Sequence, residues 1–401
     1  MIIEPKAKGF ICITAHPTGC AANVSAQIQH VQDNAPLFQG NRQFKNVLVI
    51  GSTTGYGLAS AIAASFGSGA RVLGVGFERN AQKGRTATAG FYNAAEYLRQ
   101  ANEKGHWAKV IMGDAFSVAV KEKASELIKA EMGPIDLVVY SLAAPMRIHP
   151  DTGERHQSVL KPIGTTYRSK NIDLQNNAIT EIEIQPASEQ EIADTVTVMG
   201  GDDWRRWIDF LSQNGLLAKN AMTVAYSYIG PILTHPIYKD GTIGMAKRDL
   251  KATADRLTSQ NSGMGLKAFI SVNKALVTQA SSSIPVVPLY ISMLYDIMKE
   301  KGTHEGCIEQ MTRMFGKLAV GTYVSDEDGY LRMDDWEMDP VVQAEVERRW
   351  SIVSNENLLE LADVDGYKDG FLQLFGFKVD GVDYSMDVNE VASEDHMILM
   401  N

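Results

Sequence analysis

The stretch Asn46-Val47-Leu48-Val49-Ile50-Gly51-Ser52-Thr53-Thr54-Gly55-Tyr56-Gly57 decides how this chain folds. After Asn46 its apolar residues run without alternation, the pattern of a strand covered on both faces. Three glycines follow at Gly-x3-Gly-x-Gly, and a helix is predicted directly behind them, over residues 56–66. Glycine allows a tight turn and lets backbone amides approach an anion, whose charge the N-terminus of the next helix stabilises. No Gly-Lys-Ser/Thr follows, so the turn is unlike the phosphate loop of ATPases. Gly51, Ser52, Thr53, Thr54, Gly55 and Tyr56 are therefore candidate contacts for a dinucleotide.

Working outward, strands are predicted over residues 46–51, 70–76, 108–113, 135–141, 221–228 and 266–272, with helices over 89–103, 117–131 and 246–260 between them. Such alternation predicts an α/β fold, a Rossmann-type doubly wound parallel sheet, and the glycine spacing resembles that of the short-chain dehydrogenase/reductase group. Ligands meet open α/β sheets at the carboxyl ends of the strands, which directs attention to Glu78, Gly113-Asp114-Ala115 and Ser141-Leu142-Ala143. A carboxylate at Glu78 can accept hydrogen bonds from the adenosine ribose and repel a 2′-phosphate, which favours NADH. Arg79, next to it, is a cation that could instead accommodate NADPH or simply face solvent. Asp114 could bond an adenine amino group or serve only in a turn or helix cap.

Between Pro145 and Pro186 the pattern changes. Polar β-like runs over 167–174 and 179–185 flank Asn176-Asn177, which suits a hairpin, and residues 145–186 are read as an insertion over the strand ends. Helices are predicted at 189–199 and 203–214. Beyond Lys299 the chain reads as mostly helical, with an acidic turn at Asp326-Glu327-Asp328-Gly329. The expected organisation is a single Rossmann-like body: an N-terminal addition over 1–45, the dinucleotide-binding core over 46–300, and a helical addition over 301–401.

Of the 401 residues 45% are hydrophobic and 21% charged, an ordinary globular composition. Thirty-eight Lys and Arg against 48 Asp and Glu give −10, which excludes a general electrostatic grip on nucleic acid or an anionic membrane. The longest apolar run, 284–294, is interrupted by Pro285 and Pro288 and is too short to span a bilayer. A short apolar run over 9–15 lacks the basic flank and cleavage pattern of a signal peptide, given Glu4 and Pro17. Three cysteines, Cys12, Cys20 and Cys307, make no disulfide framework and fit a cytoplasmic protein. Cys12, His16 and Cys20 have helical spacing for a zinc site, but Pro17 and Gly19 are expected to break that helix, and no metal is expected. Oligomeric state is not encoded legibly; a monomer is compatible with the sequence.

Tyr238 and Lys247 form the candidate catalytic pair. Short-chain reductases place Tyr and Lys on one helical face at Tyr-x3-Lys, whereas nine positions of unbroken helix rotate by about 900° and set the two on opposite faces. Breaks at Gly241 and Gly244 are expected, with Tyr238 on a loop that returns to the start of the Lys247 helix.

At these residues the sequence resembles the FabV-type enoyl-acyl-carrier-protein reductases and the related trans-2-enoyl-CoA reductases. The resemblance runs nearly end to end and includes Gly9-Phe10-Ile11-Cys12, Ala15-His16-Pro17, Gly113-Asp114-Ala115-Phe116, Ala225-Tyr226-Ser227-Tyr228-Ile229-Gly230-Pro231, Gly241-Thr242-Ile243-Gly244 and Gly306-Cys307-Ile308-Glu309-Gln310. It implies NADH-dependent reduction of the C2–C3 double bond of enoyl-CoA or enoyl-acyl-carrier-protein thioesters in fatty acid synthesis. It also implies Tyr238 as proton donor, Lys247 as its partner at the cofactor ribose, and Tyr228 as a substrate contact. Leu276, Val277 and Thr278 fall at the nicotinamide side, and Phe77-Glu78, Asp114-Ala115 and Leu142-Ala143 line the rest of the cofactor. Residues 280–285 and the apolar run through Tyr295 read either as a substrate cover or as a plain core helix. Family nomenclature attaches a flavin label to the C-terminal part, but no second dinucleotide turn is found there, and flavin is not expected. The readings from other classes are a ketoreductase acting on a 3-oxoacyl thioester and a non-catalytic NAD-binding sensor.

Overall fold

The computed structural model describes residues 1–8, 11–82, 84–321 and 325–400, so Gly9 and Phe10 of the first motif lie outside the described residues. Asn46–Ile50 (β1), Arg71–Gly76 (β2), Ala108–Met112 (β3), Ile135–Tyr140 (β4), Leu217–Ser227 (β5), Lys267–Val272 (β6), Tyr330–Arg332 (β7) and Met397–Leu399 (β8) form one sheet. Its order is β7-β6-β5-β4-β1-β2-β3-β8, with every neighbouring pair parallel. This is the doubly wound arrangement, whose strand order reverses between β1 and β4 and opens a crevice there.

The unbroken apolar run in β1 has a direct cause. Val47 and Val49 enter one core cluster, Leu48 and Ile50 the other, so each face of the strand is dry. Pro17–Asp33 (α1), Gly55–Ile62 (α2), Ala89–Glu103 (α3) and the later Cys307–Val320 cover the first face; Val118–Leu127 (α4), Asp202–Gln213 and Thr242–Gln260 cover the second. Ser117 caps α4, its hydroxyl accepting from the Val120 amide at 3.2 Å.

The structure corrects several boundaries. Two of the eight strands, β7 and β8, come from the C-terminal addition and are three residues each, too short to carry a periodic signal. The fifth strand starts at Leu217, and its register shifts between Leu217 and Met222. Pro17 and Gly19 do not break a helix. Pro17 opens α1, where its missing N–H costs nothing, and the His16 ring accepts from the Gly19 amide as the cap.

The insertion contains two hairpins, Met146–Ile148 with Arg155–Gln157 and Tyr167–Asp173 with Ala178–Ile184. In the second, Asn177 takes φ 50° at the turn, as the Asn-Asn pair implied. The remaining helices are Glu189–Met199 (α5), Asp202–Gln213 (α6), Thr242–Gln260 (α7), Gln279–Ser282 (α8), Val287–Glu300 (α9), Cys307–Val320 (α10), Pro340–Ile352 (α11), Leu358–Leu361 (α12) and Val364–Gln373 (α13). Ile172 of the second hairpin packs with Leu289 and Met293 of α9, and Lys170 Nζ donates to the Trp350 and Val353 carbonyls at 2.8 and 3.1 Å. The apolar run after Pro285 is thus core: Val287 through Tyr295 are all buried. Among the described residues no helix is long and apolar enough to cross a membrane.

Candidate active site

The glycine turn leaves β1 with Gly51 at φ 85°, and the Gly51 and Ser52 amides both donate to the Val75 carbonyl at 2.9 Å. A Cβ on Gly51 would overlap the Ser141 carbonyl oxygen, and one on Gly57 would overlap that of Gly51. The absence of side chains therefore folds the turn flat against the end of β4. Ser52 and Thr53 are buried, and the Thr53 carbonyl accepts from Asn93 Nδ2 at 3.2 Å. The Thr53 hydroxyl donates to Glu78 Oε1 at 2.7 Å, tying the turn to the end of β2. Burial pushes the Glu78 carboxyl above its ordinary range, and the Thr88 and Thr53 bonds and the Arg79 charge work against that rise.

The other expected cofactor contacts line the same strand ends. Phe77 is 81% exposed directly after β2. Asp114 Oδ1 accepts from the Phe116 amide at 2.9 Å, so this carboxylate is used at least partly in a turn. Leu142 and Ala143 follow β4, with Leu142 approaching Gly51. Leu276 and Val277 are buried after β6, while the Thr278 methyl reaches toward Gly55 and its hydroxyl caps α8. Tyr56 turns inward, its hydroxyl donating to the Lys274 carbonyl at 2.9 Å.

Tyr228 directly follows the last residue of β5, and Tyr238 lies in the turns before α7; their rings meet edge to face at 4.9 Å. Among the described residues the Tyr238 hydroxyl has no hydrogen-bond partner, and burial raises its pKa. Lys247 Nζ donates to the Tyr226 carbonyl at 2.9 Å, and burial brings its pKa down to about 8. No hydrogen bond joins Tyr238 to Lys247 among the described residues. The expected loop is present, but α7 begins at Thr242 with Gly241 as its cap, so Gly244 sits in the first turn and is not a break. A Cβ there would overlap the Lys239 carbonyl oxygen. Gly244 thus lets the Tyr238 loop lie directly on the helix that carries Lys247.

Comparison with known proteins identifies the family. Residues 85–319 match the family model described as the trans-2-enoyl-CoA reductase catalytic region, and residues 2–83 match that of its NAD(P)H binding domain. Residues 325–388 match a model described as the enoyl reductase FAD binding domain. The chain is 52% identical to an enoyl-[acyl-carrier-protein] reductase [NADH] of Flavobacterium johnsoniae, over 98% of this chain and 99% of that one. It is 49% identical to a trans-2-enoyl-CoA reductase [NADH] of Ruminiclostridium cellulolyticum, over 97% and 98%. The crystal structure of Treponema denticola trans-2-enoyl-CoA reductase in complex with NAD superimposes with a TM-score of 0.94 at 45% identity, covering 98% of each chain. The chain belongs to the trans-2-enoyl-CoA reductase family.

In this family member the sequence reading missed the groups behind the tyrosine pair. Glu337, fully buried between β7 and α11, accepts at Oε1 from the hydroxyls of Tyr228 (2.9 Å) and Tyr290 (2.6 Å), and at Oε2 from the Ala275 amide (2.7 Å). Gln343 Nε2 donates to the Tyr290 hydroxyl at 3.2 Å. Lys274, also buried, donates to the Ala275 carbonyl at 3.0 Å and lies 4.9 Å from the Tyr295 ring centre. Burial lowers its pKa to about 8 against the pull of Glu337 and Glu305. The run Met333-Asp334-Asp335-Trp336-Glu337 carries no local sign of this, since its polarity reads as surface. Among the described residues of 325–388, no strand passes through a glycine turn into a helix; the segment supplies β7, α11 to α13 and Glu337.

Proposed function

We propose that this chain reduces the C2–C3 double bond of trans-2-enoyl thioesters with NADH, with Tyr238 as the proton donor. The observation that carries this reading is the unpartnered Tyr238 hydroxyl, held against Tyr228 and the Lys247 helix on the strand-end edge that also bears the flat glycine turn. Relatives named for NADH-dependent reduction of both enoyl carriers support it.

Backbone amides of residues 53–56 and the α2 N-terminus are suited to a pyrophosphate, with Gly51 and Ser52 shaping the turn while their own amides bond Val75, and Glu78 is suited to ribose hydroxyls. When bound, NADH supplies the hydride. Addition at the substrate's C3 leaves negative charge on the thioester oxygen, where fixed donors are worth most. Tyr238 and Tyr228 offer hydroxyls for that oxygen. Lys247 in its charged form favours phenolate at Tyr238 once the proton has left. Leu276, Val277 and Thr278 form the wall on the nicotinamide side.

Both carriers are expected to be accepted, because the reacting thioester is the same. A basic docking patch for an acidic carrier protein would draw on Arg248, Lys251, Lys299 and Lys301. Of the four cations that could compose it, Arg248, Lys251 and Lys299 already pair with Asp240, Asp255 and Asp363 at 3.4, 2.7 and 2.6 Å. Free thiols at Cys12, Cys20 and Cys307 fit a cytoplasmic location. Steady-state NADH oxidation tests the reading directly. Turnover of crotonyl-CoA and of an enoyl carrier protein is expected, with none of acetoacetyl-CoA; the reverse preference would make the chain a ketoreductase. An absorbance scan of the purified protein for a visible flavin band tests the expectation that NADH suffices.

A further inference from the structure

Glu337 stands where three elements of the site converge. One carboxylate oxygen faces the hydroxyls of Tyr228, from the end of β5, and Tyr290, from α9; the other faces the Ala275 amide, at the start of the segment that leads to Leu276, Val277 and Thr278. Each hydroxyl has a single proton. With Glu337 ionised, both hydroxyl protons point at Oε1, and Tyr228 has none left for a thioester oxygen.

We propose that Glu337 is a positioning residue for the reduction, which in its protonated form turns the Tyr228 hydroxyl outward to donate to the thioester oxygen. The inference rests on the reading above that Tyr228 meets that oxygen. One proton on Oε1 makes every bond consistent: Gln343 donates to Tyr290, Tyr290 to Glu337, Glu337 to the Tyr228 oxygen, and Tyr228 to the substrate. No proton is consumed, since the chain only orders hydroxyls and Tyr238 remains the donor for the reaction.

The surroundings favour the protonated acid. Glu337 is 0% exposed, and burial drives its carboxyl upward, with Asp334 on its own segment adding to the rise. The cation facing it, Lys274 from the segment after β6, opposes this but spends its Nζ on the Ala275 carbonyl. Tyr290 and the Ala275 amide also stabilise negative charge, and the uncharged Gln343 completes the surround from α11.

The test compares Glu337→Gln with Glu337→Ala, each alone and with Tyr228→Phe, using crotonyl-CoA and NADH. Because the Ala275 N–H requires an acceptor, the Gln amide must turn its Nε2 to the tyrosines, where it donates to Tyr228 as the protonated acid would, although it cannot accept from Tyr290 as Oε1 does. Glu337→Gln should keep kcat within about threefold of the parent, while Glu337→Ala should lose about 10-fold to 100-fold, with KM for NADH nearly unchanged. The Gln variant should also show a flatter kcat profile toward high pH. In the Tyr228→Phe background Glu337→Ala should cost little more, as expected for residues acting through one another. The inference is overturned if Gln is as damaging as Ala, or if Ala exacts its full loss in the Tyr228→Phe background. If Tyr228→Phe alone keeps parental kcat, the role of Tyr228 falls and this inference with it. If circular dichroism shows that the Ala variant is unfolded, the Gln profile decides, and a profile identical to the parent's overturns the proposal.

Discussion

Tyr228 and Tyr238 meet with ring centres 4.9 Å apart and planes at 85°, an edge-to-face contact between the end of a sheet strand and the turn before a helix. Such a contact fixes both rings while leaving hydroxyl direction to hydrogen bonding. Tyr228 has a fixed partner in Glu337, whereas the Tyr238 hydroxyl has none among the described residues. The two phenols are therefore set up for different tasks.

Tyr238→Phe should lower kcat for crotonyl-CoA by about 10²–10⁴, the range for loss of a general acid, with KM for NADH nearly unchanged. The ring contact survives the change and only the hydroxyl is removed. Steady-state kinetics with a thermal melt for folding checks this; near-parental kcat would exclude Tyr238 as the acid.

Lys247 predicts a pH limb. Burial lowers its pKa to about 8, so the charged form prevails below that pH and is lost above it. If the cation supports cofactor binding and the phenolate, kcat/KM for NADH falls as pH rises through about 8. Lys247→Ala should be poor at every pH and lack that limb. Lys274 has a similarly lowered pKa, so the Lys247→Ala profile is what assigns the limb.

The sequence made the glycine turn legible because strand, glycines and helix are contiguous and each speaks for the next. The strand ends follow from topology, which places Glu78, Asp114, Leu142 and Thr278 on one edge once the sheet is parallel. Glu337 escaped because burial of a carboxylate is decided by partners far away in the chain, here Tyr228, Ala275 and Tyr290. The edge strands β7 and β8 escaped because three residues hold no period. Gly244 was singled out correctly as a backbone requirement, but for a break in the helix, when its service is close packing inside one.

NADH should be preferred over NADPH in the parent, and Glu78→Ala should narrow the gap. The carboxylate repels a 2′-phosphate while Arg79 remains to attract one. Because burial raises the Glu78 carboxyl, its charge is lost at a higher pH than an ordinary Glu would lose it. Discrimination in the parent should therefore weaken on mild acidification, and the variant should not show that dependence. Comparable kcat/KM for the two cofactors in the parent would defeat the assignment.

Gly90→Ala offers a sharper test because it touches neither cofactor nor substrate in this reading. Gly90 lies in the first turn of α3, and a Cβ there would overlap the Glu78 carboxylate. That carboxylate is the far end of a side chain with several rotatable bonds, so the chain should remain folded while the Glu78 head is displaced from Thr53. Alanine is also the better helix former, which offsets part of the cost of moving Glu78 by about 1 kcal/mol. The expected result is a melting temperature close to the parent's together with a preference for NADH reduced in the same direction as in Glu78→Ala. Combined with Glu78→Ala, Gly90→Ala should have no further effect on cofactor preference, because the group it displaces is gone. An unchanged NADH-to-NADPH ratio in a folded Gly90→Ala variant would show that the position of the Glu78 carboxylate does not set specificity.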